Sequence, residues 1–207
     1  MAIPAPFPSE ASRFGLRAPA LMALAAITLG GCSFDLGSWS APEKEAAPQA
    51  APAASSVSDA QSATTRGEAL VRSGKTEEAL AEFDKAIALD PHNAQALYNR
   101  GLLYQREKQH EAAVADFTSA NGLTPQRADP LLARAVSYLA LDKVKEAAAD
   151  LDEAVQADPH NAQAWTTRGL AYERLGDKAK ASASYTRAIA IRPRDDAARS
   201  GLARVGG

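Results

Sequence analysis

From residue 60 onward, small, large and proline positions recur along the chain every 34 residues. Pro91, Pro125, Pro159 and Pro193 keep this period, as do Ala79, Ala113, Ala147 and Ala181, and Ala86, Ala120, Ala154 and Ala188. Gly67, Gly101 and Gly169 hold one register, with Ala135 in the third place. Large side chains recur as Phe83, Phe117, Leu151 and Tyr185, and as Leu70, Tyr104, Tyr138 and Tyr172. The units run 60–93, 94–127, 128–161 and 162–195. Helix punctuation falls in matching places. Gly74 and Gly176 can close helices, Thr76 and Asp177 can cap those that follow, and Asn93 and Asn161 can cap helices after the prolines. Asp129-Pro130 reads as a cap followed by proline at a first helical position. The terminal segment 196–207 holds a short helix from Asp196 to Val205 that would cover the last apolar face.

A 34-residue period with these small, aromatic and proline positions resembles the tetratricopeptide repeat. The resemblance implies an all-α fold: a right-handed superhelix of four helix-turn-helix repeats with a C-terminal capping helix. Small residues such as Gly101 and Ala113 would stand where helices touch most closely, and Tyr104 and Phe117 would fill the gap to the next unit. Two departures carry expectations. Ala63 replaces a large residue in the first unit, so the first helix should fray. Asn121-Gly122 in the second unit should end a helix early and soften the junction with the third.

The chain before residue 60 has a different pattern. Arg13 and Arg17 precede a short apolar run, Ala18 to Leu29, which falls short of the ~20 residues a bilayer-spanning helix needs and suits a secretory signal peptide over 1–31. Leu29-Gly30-Gly31-Cys32, followed by Ser33, resembles the lipobox of bacterial lipoproteins. That resemblance implies cleavage before Cys32, lipidation of its sulfur, and, with Ser33 next, an outer-membrane location facing the periplasm. The rival reading is a secreted protein with a chance cysteine at its cleavage site. Residues 32–59 would be a solvated Ala/Pro/Ser tether, unable to bury an apolar face or sustain a helix.

Composition narrows the chemistry. Net charge is −2 with a pI near 6.0, which provides no electrostatic footprint for nucleic acid. Cys32 is the sole cysteine, so no intrachain disulfide can form. Gly74-Lys75-Thr76 looks like the end of a phosphate-binding loop, but Ala69 stands where its first glycine belongs. His110-Glu111 lacks the second histidine of a zinc protease, and His92 and His160 stand two units apart. No cofactor, metal site, small-molecule substrate or enzymatic activity is expected.

Arg66, Arg100, Arg134 and Arg168 recur once per unit, and Glu82, Asp116 and Asp150 follow the first three sixteen residues later. Structural arginine–carboxylate pairs are the favoured reading, a ligand role the alternative. Ser184 replaces the acid in the fourth unit, which would leave Arg168 free for a partner. By resemblance, partners bind the concave face formed by first helices, here through Tyr98, Leu102, Gln105, Arg106, Leu132, Val136, Leu139, Leu170 and Arg174, with Thr64, Glu68, Arg72, Thr166 and Glu173 towards the ends. Some of these could instead pack between neighbouring helices. Thr64 and Glu68 occupy places where a carboxylate clamp has other residues, so a free C-terminal carboxylate is not the expected ligand. The functional expectation is a membrane-anchored adaptor for periplasmic envelope proteins. The alternative is an assembly factor for a pilus or secretion system, similar to pilotins or the Tad-pilus lipoprotein.

Overall fold

The computed structural model describes residues 53–206. The expected signal peptide, Cys32 and the tether up to residue 52 lie outside the described residues. Among these, the chain forms nine α-helices and no strand: α1 (Ala53–Arg72), α2 (Thr76–Leu89), α3 (Ala94–Arg106), α4 (His110–Leu123), α5 (Ala128–Ala140), α6 (Val144–Ala157), α7 (Ala162–Arg174), α8 (Lys178–Ile191) and α9 (Asp196–Val205). The helices pair as α1/α2, α3/α4, α5/α6 and α7/α8, one antiparallel pair per repeat. Helix α9 spans the residues expected of the capping helix and covers α8 and α7.

Small residues set the spacing within each pair. Ala79, Ala113, Ala147 and Ala181 are fully buried, as are Ala86, Ala120, Ala154 and Ala188. Alanine is both the best helix former and small enough to let helix axes approach. Phe83, Phe117 and Tyr185 lie against the backbone of Gly67, Gly101 and Gly169, where an added Cβ would meet ring carbons at 2.5–2.9 Å. In the third unit both partners change together, to Ala135 and Leu151. Phe117 also packs against Ala133 of the following unit, so the same ring joins neighbours.

The turn inside each unit needs one left-handed residue. Gly74 and Gly176 have φ of 76° and 79°, and Lys108 and Asp142 occupy the equivalent places at 61° and 59°. In every unit the next backbone N–H then reaches back to the carbonyl of Leu70, Tyr104, Tyr138 or Tyr172 at 2.8–3.0 Å, closing the helix end. The turns between units carry the prolines, and Asp90 and Asp158 accept from the N–H of His92 and His160 at 3.0 Å.

Capping agrees with expectation in part. Asn93, Asn161 and Asp177 accept from Ala96, Ala164 and Lys180 N–H, and Asp195 caps α9 in the same way through Ala198. Thr76 is not a cap but the first residue of α2, preceded by Lys75, which makes no capping bond. Nor does Asp129 cap α5. The helix starts two residues earlier, at Ala128 after Arg127, which sits in the cap register but has no side-chain acceptor to offer. Asp129 instead pairs with Arg127 at 2.9 Å.

Three other expectations are corrected. Residues 53–59 are helical and not tether: no proline stands between 52 and 91, and alanine and serine are tolerated in a helix whose next turn buries Ala60. Ala63 does not fray α1. It is fully buried beside Ala79 and Phe83, because a small residue there lets α2 close in. Helix α4 does not end early at Asn121-Gly122 either. It has the same 14 residues as α2, α6 and α8, and Thr124 secures its end by donating to the Ala120 carbonyl at 2.9 Å.

Candidate interaction groove

Consecutive first helices touch one another, α1 with α3, α3 with α5 and α5 with α7, while no second helix reaches the next second helix. The array therefore curves with α1, α3, α5 and α7 on its inner face. Residues one period apart stack along that face, and one column reads Glu68, Leu102, Val136, Leu170. None of the four is buried, and Leu170 is 40 % exposed. Apolar side chains left at the surface in register on a concave wall give an adhesive stripe.

Two recesses adjoin along the stripe and share Leu102. The central one, about 290 Å³, is lined by Tyr98, Leu102, Gln105, Asp129, Leu132, Ala133, Val136, Asn161 and Gln163. It thus brings together five of the residues expected to meet a partner. The other, about 230 Å³, lies between α1 and α3 over Val71, Phe83, Leu102 and Leu103, with Glu68, Asn99, Arg72 and Arg106 around it. Tyr98 stands between groove and core, its ring 5.8 Å from that of Phe117. Burial raises its phenol pKa above the ordinary value, with Asp129 adding to the effect, so it faces a partner as a neutral hydroxyl.

Other expected contacts are already engaged within the array. Leu139 is buried, packed in the cluster that contains Ala135, Leu151 and Tyr185, and offers no surface. Gln105 lines the central recess but gives its amide to the Ala133 carbonyl and Ser137 hydroxyl at 2.9 and 2.7 Å. Arg174 reaches back to the Leu139 carbonyl and Asp142. Thr64 is buried and accepts from the Asn93 amide at 2.9 Å. Thr166 donates to Asp195 at 2.8 Å, and Glu173 holds Arg204 and the Tyr185 hydroxyl. Each ties a first helix to the unit or helix next to it, so these positions have a packing role within the array.

The repeated arginines form a ladder between units. Arg100 makes two bonds to Asp116 at 2.8 and 2.7 Å and a third to Asp84 of the preceding unit at 2.6 Å. Arg134 repeats this with Asp150 at 2.8 and 2.7 Å and Thr118 at 3.1 Å. Arg66 has Glu82 at 2.9 Å, and among the described residues no repeat precedes its unit. Hydrogen bonding to Asp116 and Asp150 raises the Arg100 and Arg134 pKa values further, against the effect of burial. Arg168 is not free. Its Nε donates to Asp152 and its Nη1 to the Ser184 hydroxyl, both at 2.7 Å, and its guanidinium lies over the Tyr172 ring. The sequence pattern points to partners sixteen residues after the first three arginines, but not to Ser184 as a partner of Arg168, nor to the mirror set sixteen residues before, Asp84, Thr118 and Asp152, which has the same spacing. Nor does it point to Asn99 and Gln163, and polar residues at a groove edge have no distinguishing pattern.

An array of antiparallel helix pairs at a 34-residue period, concave on its first helices, is a repeat scaffold for protein–protein interaction. Tetratricopeptide family models match residues 67–108, 94–127 and 132–204, and the chain is a tetratricopeptide-repeat protein. No curated protein matches the sequence. Among solved structures, the MamA protein is similar over 71 % of this chain and 80 % of its own, at 20 % identity and a TM-score of 0.67. YrrB, described as a tetratricopeptide protein with an unusual peptide-binding site, covers 75 % and 82 % at 21 % identity and 0.66. The first tetratricopeptide domain of Spaghetti (RPAP3), bound to an HSP90 peptide, covers 58 % and 95 % at 25 % identity and 0.57.

Proposed function

We propose that this chain is a lipid-anchored adaptor of a bacterial envelope, which gathers periplasmic proteins by binding their extended or helical segments along the inner face of its repeats. It acts by binding and not by catalysis. The observation that carries the reading is the in-register column Leu102, Val136, Leu170 beside a central recess, apolar surface that the core does not consume. Peptide binding by the Spaghetti domain and by YrrB supports the same use of the fold. The anchor rests on Leu29-Gly30-Gly31-Cys32 and on the physics of acylation, since several acyl chains hold a membrane firmly where one holds marginally. Ser33 supports an outer-membrane location facing the periplasm. An assembly factor for a pilus or secretion system would use the same groove and anchor, differing only in its partner.

The test expresses the full chain in its own envelope beside two variants. Cys32→Ala should lose incorporation of labelled fatty acid and leave the membrane fraction; retention of both would refute the anchor. In Val136→Glu/Leu170→Glu, checked for unchanged helicity, cross-linked partners should disappear. Both positions lie outside the buried clusters, so the fold tolerates the charge. Identical partners on variant and wild type would move the site off the inner face.

A further inference from the structure

We propose that the recess between α1 and α3 takes one large apolar side chain of a partner peptide whose neighbouring residue is Asp or Glu, and that Arg72 and Arg106 hold that carboxylate. This rests on the groove reading above and specifies its ligand. The recess is about 230 Å³, below the ~300–1,000 Å³ of small-molecule sites and suited to a side chain. Its floor is Val71, Phe83, Leu102 and Leu103.

Its rim is electrically graded. At one end Glu68 accepts from the Asn99 amide at 2.9 Å and would repel an anion. At the other stand Arg72 and Arg106, in the last turns of α1 and α3 and one period apart. Among the described residues neither arginine has a hydrogen-bond or ion-pair partner, while Arg66, Arg100, Arg134, Arg168 and Arg174 on the same set of helices are all bonded. The contrast with Arg174 explains itself from sequence. Arg174 pairs with Asp142, and the residue equivalent to Asp142 before Arg106 is Gly74. A last-turn arginine ordinarily offsets the helix dipole, a contribution of ~0.3–1 kcal/mol. That role accounts for one cation per helix but not for two converging on one apolar recess. Two guanidinium forks at its mouth match a carboxylate in geometry and charge.

The experiment pans a randomised peptide display library on the purified full chain and measures selected peptides by fluorescence anisotropy. The expected consensus is a large apolar residue next to Asp or Glu. Affinity should fall at least roughly tenfold for Arg72→Glu/Arg106→Glu and less for Arg72→Met/Arg106→Met. Panning on the charge-reversed variant should select basic peptides instead. Both arginines are exposed, so helicity should be unchanged. An apolar consensus without carboxylates, or an acidic one indifferent to charge reversal, overturns this assignment and leaves the groove reading standing. No enriched peptide at all overturns both. A synthetic peptide of residues 33–40, which contains Phe34, Asp35 and Leu36, is run in competition. If it binds these arginines more tightly than any selected peptide, the occupant is the chain itself and the partner assignment falls.

Discussion

The glycine–ring contact can be tested by making the second unit imitate the third. In unit two Gly101 faces Phe117; in unit three Ala135 faces Leu151. A Cβ on Gly101 would meet Phe117 Cε1 at 2.7 Å and Cδ1 at 2.9 Å, and the Cβ of Asp116 at 3.2 Å. Gly101→Ala therefore sets two opposed effects against each other. Helix propensity gains about 1 kcal/mol, and overpacking against a ring held in a fully buried site costs about 1–3 kcal/mol. The net is a loss of roughly 0–2 kcal/mol. Phe117→Leu alone gives up buried ring area and leaves a gap, a loss of roughly 1–2 kcal/mol. In the double variant the clash is gone, so the alanine contributes its propensity unopposed. The two changes should then be less harmful together than their sum, by about 1–3 kcal/mol. Urea unfolding followed by far-ultraviolet circular dichroism gives all four corners of the cycle. Additivity within about 0.5 kcal/mol would refute the claim that ring and glycine are fitted to each other. The control is Ala135→Gly, which should cost about 1 kcal/mol with no such coupling to Leu151.

Acid should release the terminal cap. At Asp195, burial favours the neutral form but the Ala198 N–H and the Thr166 hydroxyl outweigh it, and bonding to Arg204 lowers Glu173, so both carboxyls titrate below their ordinary 3.8 and 4.5. Their contribution is complete above those values and disappears as pH falls through the lower folded ones. Amides of α9 should lose protection below about pH 4 before the other helices do, and Glu173→Gln/Asp195→Asn should flatten that dependence. At the start of α5, Arg127→Asn should add about 0.5–1 kcal/mol, an N-cap gain less the small worth of an exposed ion pair with Asp129. In the parent chain hydrogen exchange should be faster there than at the start of α3 or α7, and equal rates would contradict the capping argument. Lys108→Gly should raise the unfolding free energy, read from urea unfolding, by about 1 kcal/mol, because Lys108 sits at φ 61° where Gly74 and Gly176 fit without strain.

The fold was legible because its signal is repeated. A period fixes unit length, and small residues recurring with it say where helices must approach. The capping helix followed from the need to cover a last apolar face, and its limits, Asp196 and Val205, match the sequence reading. What escaped was local competition. Asn121-Gly122 disfavours helix, yet α4 continues through it because Phe117 and Ala120 on the same helix are buried against neighbours. Tertiary packing outweighs about 1 kcal/mol of propensity. The start of α1 was missed for the opposite reason. An Ala/Ser stretch has no apolar stripe to announce a helix, but nothing in it forbids one.

The site was less legible than the fold because an inner face serves two purposes. Each first helix must grip its neighbours and also present a surface, and residue type alone does not say which task a position has. Leu139 and Val136 look alike in sequence and, three residues apart, are neighbours on one face of α5, yet only Leu139 is buried in the core. For the arginines the deciding factor is a neighbour one unit away. Arg168 lost its acid at position 184 and is held by Asp152 instead, while Arg106 lacks an acid because glycine occupies the equivalent place at 74. In a repeat array a cation is therefore available to a partner only where both adjoining units fail to supply its counter-charge. That condition is met at the α1/α3 end of the groove, where, among the described residues, no repeat precedes the first unit. Divergence between otherwise equivalent units, more than any residue they share, is what gives this inner face a direction.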